Sequence, residues 1–498
     1  MIRIGKETIK KQSKFWNHAL FHPTDAIEDP WGRRILDRIS ADGAIKTIRI
    51  YSMFEDIVYF DGDGKLCFDF RLSDLRLDYL LERGFDLLIA YGGIPDCIAS
   101  STNLTASVSK NKTRYKGKMW NSAPPRDYAQ WEEVCYAYTK HLVDRYGEAV
   151  VSGWYCQCLN EPDGAFWMRN VNRDDVGTRC AEYAKLYEAF VRGVRRATKG
   201  IRVGGPALAH RTAFLDCFLD YVKNSGVEMN YIALHTYGTG PDRLNSGERP
   251  LATENHFVYS IEPYMEVIRR HGFADTELIL DEWGAASHGF YNVEECPSFM
   301  FRENEIYSSY FTRLIYQLIE FGIPISKLMI CLSGQHEMVT DFSGFRNFFT
   351  LNFITKPIYN AHLMTSKMGD SLMGVEHGNP NLFVVPTKDD AGDYSVLLTY
   401  CEKHFGESIP AVEETVTFDE DITGKTVTVY CIDREHTNPY RTWERAGKPE
   451  MTDALLEQLR EEGRLKPCSV FVAERNAVSI RMIPNATFLI TVQNKKGE

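Results

Sequence analysis

Gly153-Trp154-Tyr155-Cys156-Gln157-Cys158-Leu159-Asn160-Glu161-Pro162 is an apolar run that breaks off on an amide, a carboxylate and a proline. Its pattern suits a buried strand. Proline has no backbone N–H and cannot continue a central strand, so Pro162 marks the exit. Glu161 is therefore expected at the C-terminal tip of a buried strand. Read alone, it could equally be a surface glutamate opening a loop, and the surrounding chain has to decide. Strict alternation would send Asn160 and Glu161 to opposite faces. Both can line one site only if the strand bulges there; otherwise Asn160 serves as a helix cap.

Outward from this stretch, similar runs recur at Phe15–Phe21, Ile45–Tyr51, Phe85–Tyr91, Ile201–Pro206, Tyr231–Thr236, Glu277–Glu282 and Lys327–Leu332. With Gly153–Leu159 they make eight. Helical patterns lie between them. Pro125–Tyr146 carries Tyr128, Trp131, Val134, Tyr138 and Leu142 at helical spacing and stops at Gly147. Asp174–Thr198 does the same with Tyr183, Leu186, Phe190 and Val194, and Asn304–Phe321 ends at Gly322. Eight strands alternating with helices predict an α/β fold, a (β/α)8 TIM barrel over residues 15–365. A doubly wound open sheet is the competing architecture. It usually carries a glycine-rich nucleotide turn after its first strand, and no GxGxxG stands here.

Beyond Thr365 the pattern changes to short runs separated by turns: Leu382–Pro386, Asp393–Tyr400, Glu414–Phe418, Thr426–Ile432, Ser469–Ala473, Val478–Ile483 and Thr487–Val492. These predict a C-terminal antiparallel β-sandwich as an accessory domain over residues 366–498, interrupted by one helix at Asp453–Glu462. Residues 1–14 are short and basic. They are expected to add a strand to that module, since domain termini often lie together.

A second acid repeats the opening pattern. Leu278-Ile279-Leu280-Asp281-Glu282-Trp283-Gly284 is an apolar strand ending in carboxylates. Glu161 closes the fourth strand and Glu282 the seventh, and the tips of those strands face each other across a barrel mouth. Two facing carboxylates suit glycoside hydrolysis: one protonates the leaving oxygen, and the other attacks the anomeric carbon or activates water. The sixth strand puts His235 and Tyr237 on one face at period two. A tyrosine hydroxyl can hold a carboxylate ionised, and a histidine can orient an acid or a sugar hydroxyl. The same two residues could also be ordinary core side chains.

Composition narrows the function further. The chain has 498 residues, 44% hydrophobic and 25% charged, the profile of an ordinary soluble protein. A net charge of -11 argues against a nucleic-acid partner, which needs a basic footprint. No apolar run approaches the ~18 residues of a membrane span. The N-terminus shows no signal-peptide pattern, and the 12 cysteines have no framework spacing, so a cytoplasmic, reduced protein is expected. No clustered His-x-His spacing marks a metal site, and neither a metal nor an organic cofactor is expected.

The quoted stretch, continued through Trp167, resembles the Asn-Glu-Pro acid/base strand of glycoside hydrolase family 39, which includes β-xylosidases and α-L-iduronidases and belongs to a clan of retaining (β/α)8 enzymes. The resemblance extends through Ile89–Ser100, Val203–Ala207, His235-Thr236-Tyr237, Asp281-Glu282-Trp283 and, in the second module, Ile432–Trp443. It implies that Glu161 is the acid/base and Glu282 the nucleophile. It also puts Asn160, His235, Tyr237 and Trp283 in the sugar site. Four positions depart from the family pattern, two of them Asp281 and Gly284, which stand where the family has a threonine before and an asparagine after the nucleophile. Tyr51 stands where a second-strand histidine is common, and the eighth strand lacks the usual tryptophan, although Glu337 matches a nearby glutamate. His18, His22, Trp120, Gln335 and His336 are candidate replacements. The resemblance implies a glycoside or oligosaccharide substrate cleaved from its terminus, as by a β-xylosidase. An arabinosidase, β-glucosidase or β-galactosidase specificity remains open, as does a non-catalytic carbohydrate-binding protein. A homo-oligomer is a further expectation, with Arg434–Trp443 as a candidate contact.

Overall fold

The computed structural model describes residues 1–21, 27–107, 119–239, 256–287, 291–332, 338 and 340–494. The first strand, β1 (Ile2–Lys11), does not belong to the barrel. Eight later strands do, apart from two short two-stranded ribbons between them: β2 (His18–Leu20), β3 (Thr47–Tyr51), β4 (Asp86–Tyr91), β5 (Tyr155–Cys158), β6 (Arg202–Leu208), β7 (Tyr231–Tyr237), β8 (Glu277–Gly284) and β9 (Ile325–Cys331). Each pairs in parallel with its sequence neighbour, and β9 closes onto β2. Closure excludes the open sheet. All eight expected strands are present, shifted at their ends by up to three residues.

Eight helices follow the eight strands: α1 (Pro30–Asp42), α2 (Arg71–Leu81), α3 (Tyr128–Tyr146), α4 (Val176–Ala197), α5 (Thr212–Ser225), α6 (His256–His271), α7 (Glu305–Glu320) and α8 (Pro357–Ser366). Their starts are chemical. Asp127 accepts from the N–H of Ala129 before α3, and Asn304 accepts from that of Ile306 before α7, each satisfying a donor the helix cannot. Strand alternation sorts the barrel residues into two layers. Leu88, Tyr155, Ala207, Tyr231, Ala233, Ile279 and Met329 fill the interior. Ile48, Ile50, Ile89, Cys156 and Cys158 turn outward into the layer shared with the helices.

The second module comprises β10 (Ser371–Glu376), β11 (Leu382–Lys388), β12 (Tyr394–Tyr400), β13 (Val412–Phe418), β14 (Thr426–Ile432), β15 (Pro467–Val472), β16 (Ala477–Met482) and β17 (Ala486–Gln493), with α9 (Pro439–Arg445) and α10 (Asp453–Glu462) between β14 and β15. They form one curled ladder rather than two separate sheets, in the order β15-β14-β17-β12-β11-β10-β1-β13-β16. It is mixed: β1 runs antiparallel to β10 and parallel to β13. The N-terminal strand thus sits inside this sheet. Period two divides its faces. Val384, Val396, Leu398 and Ile490 point into the module's own core, while Val385, Leu397 and Leu489 join the barrel's outer layer. Among the described residues, no helix is long and apolar enough to cross a membrane.

Candidate active site

The chain brings Glu161 into the mouth by breaking the alternation of β5. The strand ends at Cys158, and Leu159 (φ 63°) and Glu161 (φ 44°) adopt the left-handed conformation that side chains other than glycine seldom take. Neighbouring strands hold them there. The N–H of Leu159 donates to Tyr91 O at 2.7 Å, and that of Glu161 to Ala207 O at 3.0 Å. The following loop is clamped from two sides. The buried Asp163 accepts three backbone N–H groups, from Ala209, His210 and Arg211 at 2.9–3.0 Å. Arg179 on α4 donates to the carbonyls of Pro162, Gly164 and Met168. Asn160 and Glu161 therefore both face the site, the outcome for which the sequence required a local irregularity.

Glu282 arrives by a different device. Leu234 pairs with Leu280, but His235 pairs with Glu282, so Asp281 is the extra residue of a β-bulge. Without it, alternation from the inward Ile279 would turn Asp281 and Trp283 inward and Glu282 outward. With it, Asp281 and Glu282 both point into the barrel. Trp283 swings out between α6 and α7, fully buried, stacked on Phe311 at 5.5 Å and edge-on to Phe257 and Tyr307. The expectation that Trp283 lines the sugar site is corrected accordingly.

These acids share one network. Arg49, fully buried on β3, donates from Nη1 to Glu282 Oε1 at 2.8 Å and from Nη2 to Asn160 Oδ1 at 2.7 Å. Its Nε lies 2.9 Å from Asp281 Oδ2. Tyr51 donates to Glu282 Oε1 at 3.1 Å, and Tyr237 to Glu282 Oε2 at 2.8 Å. Arg346 in turn donates to the Tyr237 hydroxyl at 3.2 Å. His235 Nδ1 is 2.8 Å from Glu161 Oε1 and 3.5 Å from Glu282 Oε2, and its Nε2 is 3.5 Å from Asp281 Oδ1. One oxygen of Glu161 and one of Glu282 lie within 4.8 Å of each other.

The charges follow from this packing. Burial works against ionisation of Glu282, yet the charges of His235 and Arg49 and the Tyr237 hydrogen bond outweigh it and hold the carboxyl at about 2. Burial likewise opposes a charge on His235, but the facing Glu282 and Asp281 carboxylates raise it to about 10. At neutral pH Glu282 is an anion and His235 a cation. By spacing, Glu161, His235 and Glu282 could surround a metal ion. A histidine protonated on both nitrogens, however, has no lone pair to offer.

Tyr51 stands beside the acids, with Trp120 edge-on to it at 4.9 Å and Phe166 against Trp120 at 5.4 Å, forming an aromatic wall. His18 is buried within β2. Glu337, Gln335, His336 and His22 lie outside the described residues. Arg49 and Arg346 were not singled out from the sequence, and Asp281 only as a departure from the family pattern. Arg49 had a signal: a cation two residues before Tyr51, on the inward face of an otherwise apolar strand. Arg346 had none, since it stands in no periodic segment. The Arg434–Trp443 segment makes several contacts within its own chain. Asn438 and Arg441 hold the buried Glu305 at the start of α7, and Tyr440 and Trp443 pack on Phe342.

The model of glycosyl hydrolases family 39 matches residues 1–469. The chain is 23% identical over 516 residues to a β-xylosidase of Caldicellulosiruptor saccharolyticus, covering 99% of this chain and 98% of that one. It is 25% identical over 252 residues to the α-L-iduronidase of Canis lupus familiaris, covering 45% of this chain and 34% of the other. The crystal structure of a monomeric β-xylosidase from Caulobacter crescentus CB15 shares its fold, with a TM-score of 0.82 at 18% identity over 99% of each chain. A match that runs unbroken from the N-terminal strand of the sheet through both carboxylate-bearing barrel strands makes this chain a member of glycoside hydrolase family 39, a retaining O-glycosidase.

Proposed function

We propose that the protein is a β-xylosidase-type exo-glycosidase in which Glu282 is the nucleophile and Glu161 the acid/base. The observation that carries the assignment is the spacing of the two carboxylates, within 4.8 Å at their near oxygens. That suits direct attack, for which carboxyl groups stand about 5–5.5 Å apart, and leaves no room for the interposed water that needs about 6.5–9.5 Å. Glu282, ionised, attacks the anomeric carbon. The bond to the aglycone oxygen breaks, and the proton of Glu161 goes to that oxygen. Water then attacks the same carbon, gives a proton back to Glu161, and releases the sugar and the Glu282 carboxylate. His235 donates to Glu161 Oε1, which leaves Oε2 as the oxygen that carries the exchanged proton.

Xylosides are favoured by two relatives that span 99% and 79% of this chain, each a β-xylosidase. The 12 cysteines, none in a disulfide, support a reducing, cytoplasmic setting and short imported oligosaccharides as substrates. A panel of aryl glycosides tests the reading: β-xyloside, α- and β-L-arabinosides, β-glucoside, β-galactoside and α-L-iduronide. The β-xyloside is expected to give the highest kcat/KM, and Glu282→Ala is expected to abolish turnover of every member. Glu161→Gln should lower kcat on xylobiose about 10²–10⁴-fold while sparing substrates with good leaving groups. A fully active Glu282→Ala removes the nucleophile assignment, and a better α-L-iduronide than β-xyloside removes the sugar.

A further inference from the structure

Where β14 ends in the second module, a second group of side chains has the composition of a metal site. Cys431, Asp433 and His436 each bring one donor atom within 4.8 Å of the other two. Cys431 Sγ is 3.2 Å from Asp433 Oδ2, and His436 Nδ1 is 3.0 and 3.1 Å from the two oxygens of that carboxylate. A fourth donor comes from the edge strand. β14 and β15 pair residue for residue from Thr426 opposite Val472 to Val429 opposite Ser469, then skip to Tyr430 opposite Pro467. Cys468 is thus the extra residue of a bulge, a device that re-aims a side chain, and its thiol comes within hydrogen-bonding reach of Cys431.

The surroundings are already arranged as outer partners of ligands would be. Asp433 Oδ1 accepts the N–H groups of Glu435 and His436, both at 2.7 Å, which leaves Oδ2 directed at the thiol and imidazole. The Asp433 carbonyl accepts from Asn438 at 2.9 Å, fixing the loop behind it. Cys431 and Asp433 are buried and His436 is at the surface, so an ion would have a packed floor and an open entrance.

We propose that Cys431, Asp433, His436 and Cys468 form a binding site for one divalent transition-metal ion, with Zn²⁺ the best match. Two sulfurs, one imidazole nitrogen and one carboxylate oxygen are a borderline-soft set suited to tetrahedral coordination. Metal–donor distances of about 2.0–2.3 Å give a tetrahedron with edges of about 3.3–3.7 Å. The Cys431–Asp433 and Asp433–His436 separations of 3.0–3.2 Å are those of donors still hydrogen-bonded to one another. Binding therefore asks the Cys431–Asp433 and Asp433–His436 pairs to part by only a few tenths of an ångström, draws the surface thiol of Cys468 in as the fourth donor, and displaces the thiol protons to solvent. The ion would pin the exposed strand β15, which among the described residues pairs with β14 alone, to the loop leading into α9.

The test uses the full chain, purified reduced and metal-free, with Co²⁺ as the first probe. One Co²⁺ per chain with thiolate-to-cobalt charge-transfer absorption, displaced by Zn²⁺, is expected. Cys468→Ser and His436→Gln alter positions at the surface. Each should weaken Zn²⁺ binding at least about tenfold and abolish the Zn²⁺-induced rise in Tm, with aryl-glycoside turnover unchanged. No charge-transfer absorption in the wild-type chain overturns the proposal. So does Zn²⁺ affinity equal to wild type in both variants, which would put the ion elsewhere, as at Glu161, His235 and Glu282.

Discussion

Glu282 shows how a nearly dry carboxylate stays ionised: its neighbours were placed to donate. Tyr237 serves one oxygen at 2.8 Å, while Arg49 and Tyr51 share the other. A hydrogen bond to a charged group contributes about 1.5–3 kcal/mol, which corresponds to about 1–2 pKa units. Tyr237→Phe removes a donor to the charged form, so the Glu282 carboxyl must rise from about 2. The acid limb of kcat/KM on an aryl xyloside should then move up by about one to two pH units. Tyr51→Phe should move it less, because Arg49 still serves that oxygen. An acid limb unchanged in Tyr237→Phe would show that His235 and Arg49 alone keep Glu282 charged. Much of this was legible at the residue scale. Glu161, Glu282, His235 and Tyr237 announced themselves as polar endings of apolar strands. Trp283 was placed in the site by the family resemblance; the bulge that turns Asp281 and Glu282 both inward sends it outward, and that bulge leaves no mark in composition.

At the scale of the element, the two acids are delivered by two different irregularities, and one arginine ties them together. The left-handed residues after β5 turn Asn160 and Glu161 inward, and the bulge in β8 does the same for Asp281 and Glu282. Arg49, from β3, touches a residue from each device. Arg49→Lys is therefore not a conservative change: an ammonium keeps the charge but cannot present the planar fork that reaches Asn160, Asp281 and Glu282 together. Leaving a buried carboxylate short of its partner costs about 3–5 kcal/mol when a pair is broken outright. A lysine that retains one contact should lose part of that, seen as a lower Tm, with kcat/KM down at least about tenfold. Wild-type kcat/KM in Arg49→Lys would mean that charge alone suffices. The strands themselves were readable from their apolar runs and flanking turns, and α10 was placed residue for residue. β10 was missed, since Ser371–Glu376 carries a glycine and an acid and has too little apolar pattern to stand out.

On the scale of the whole molecule, the second module is not an appendage. Its sheet gives one face to its own core and the other to the barrel, where Thr312 on α7 meets Thr399 and Thr487 through their hydroxyls. No local pattern in the sequence could reveal which strands are neighbours in that ladder, because its order is set by contacts between the chain's two ends. β1 is the clearest case. It lies between β10 and β13, with Ile2 and Ile4 fully buried in the module's core. Among the described residues β13 pairs only with β1 and β16, so deleting residues 1–11 severs the antiparallel β13–β16 pair from the ladder, and an isolated two-stranded unit is marginal in water. The truncated chain should show a lower Tm by circular dichroism and early proteolytic cleavage within Val412–Met482. Ile4→Ala should reproduce the destabilisation in part, at about 2–5 kcal/mol, with no strand removed. Equal Tm and equal protease resistance in both variants would mean that the β13–β16 pair holds by its packing alone, and that β1 fills an edge rather than joining two halves of the sheet.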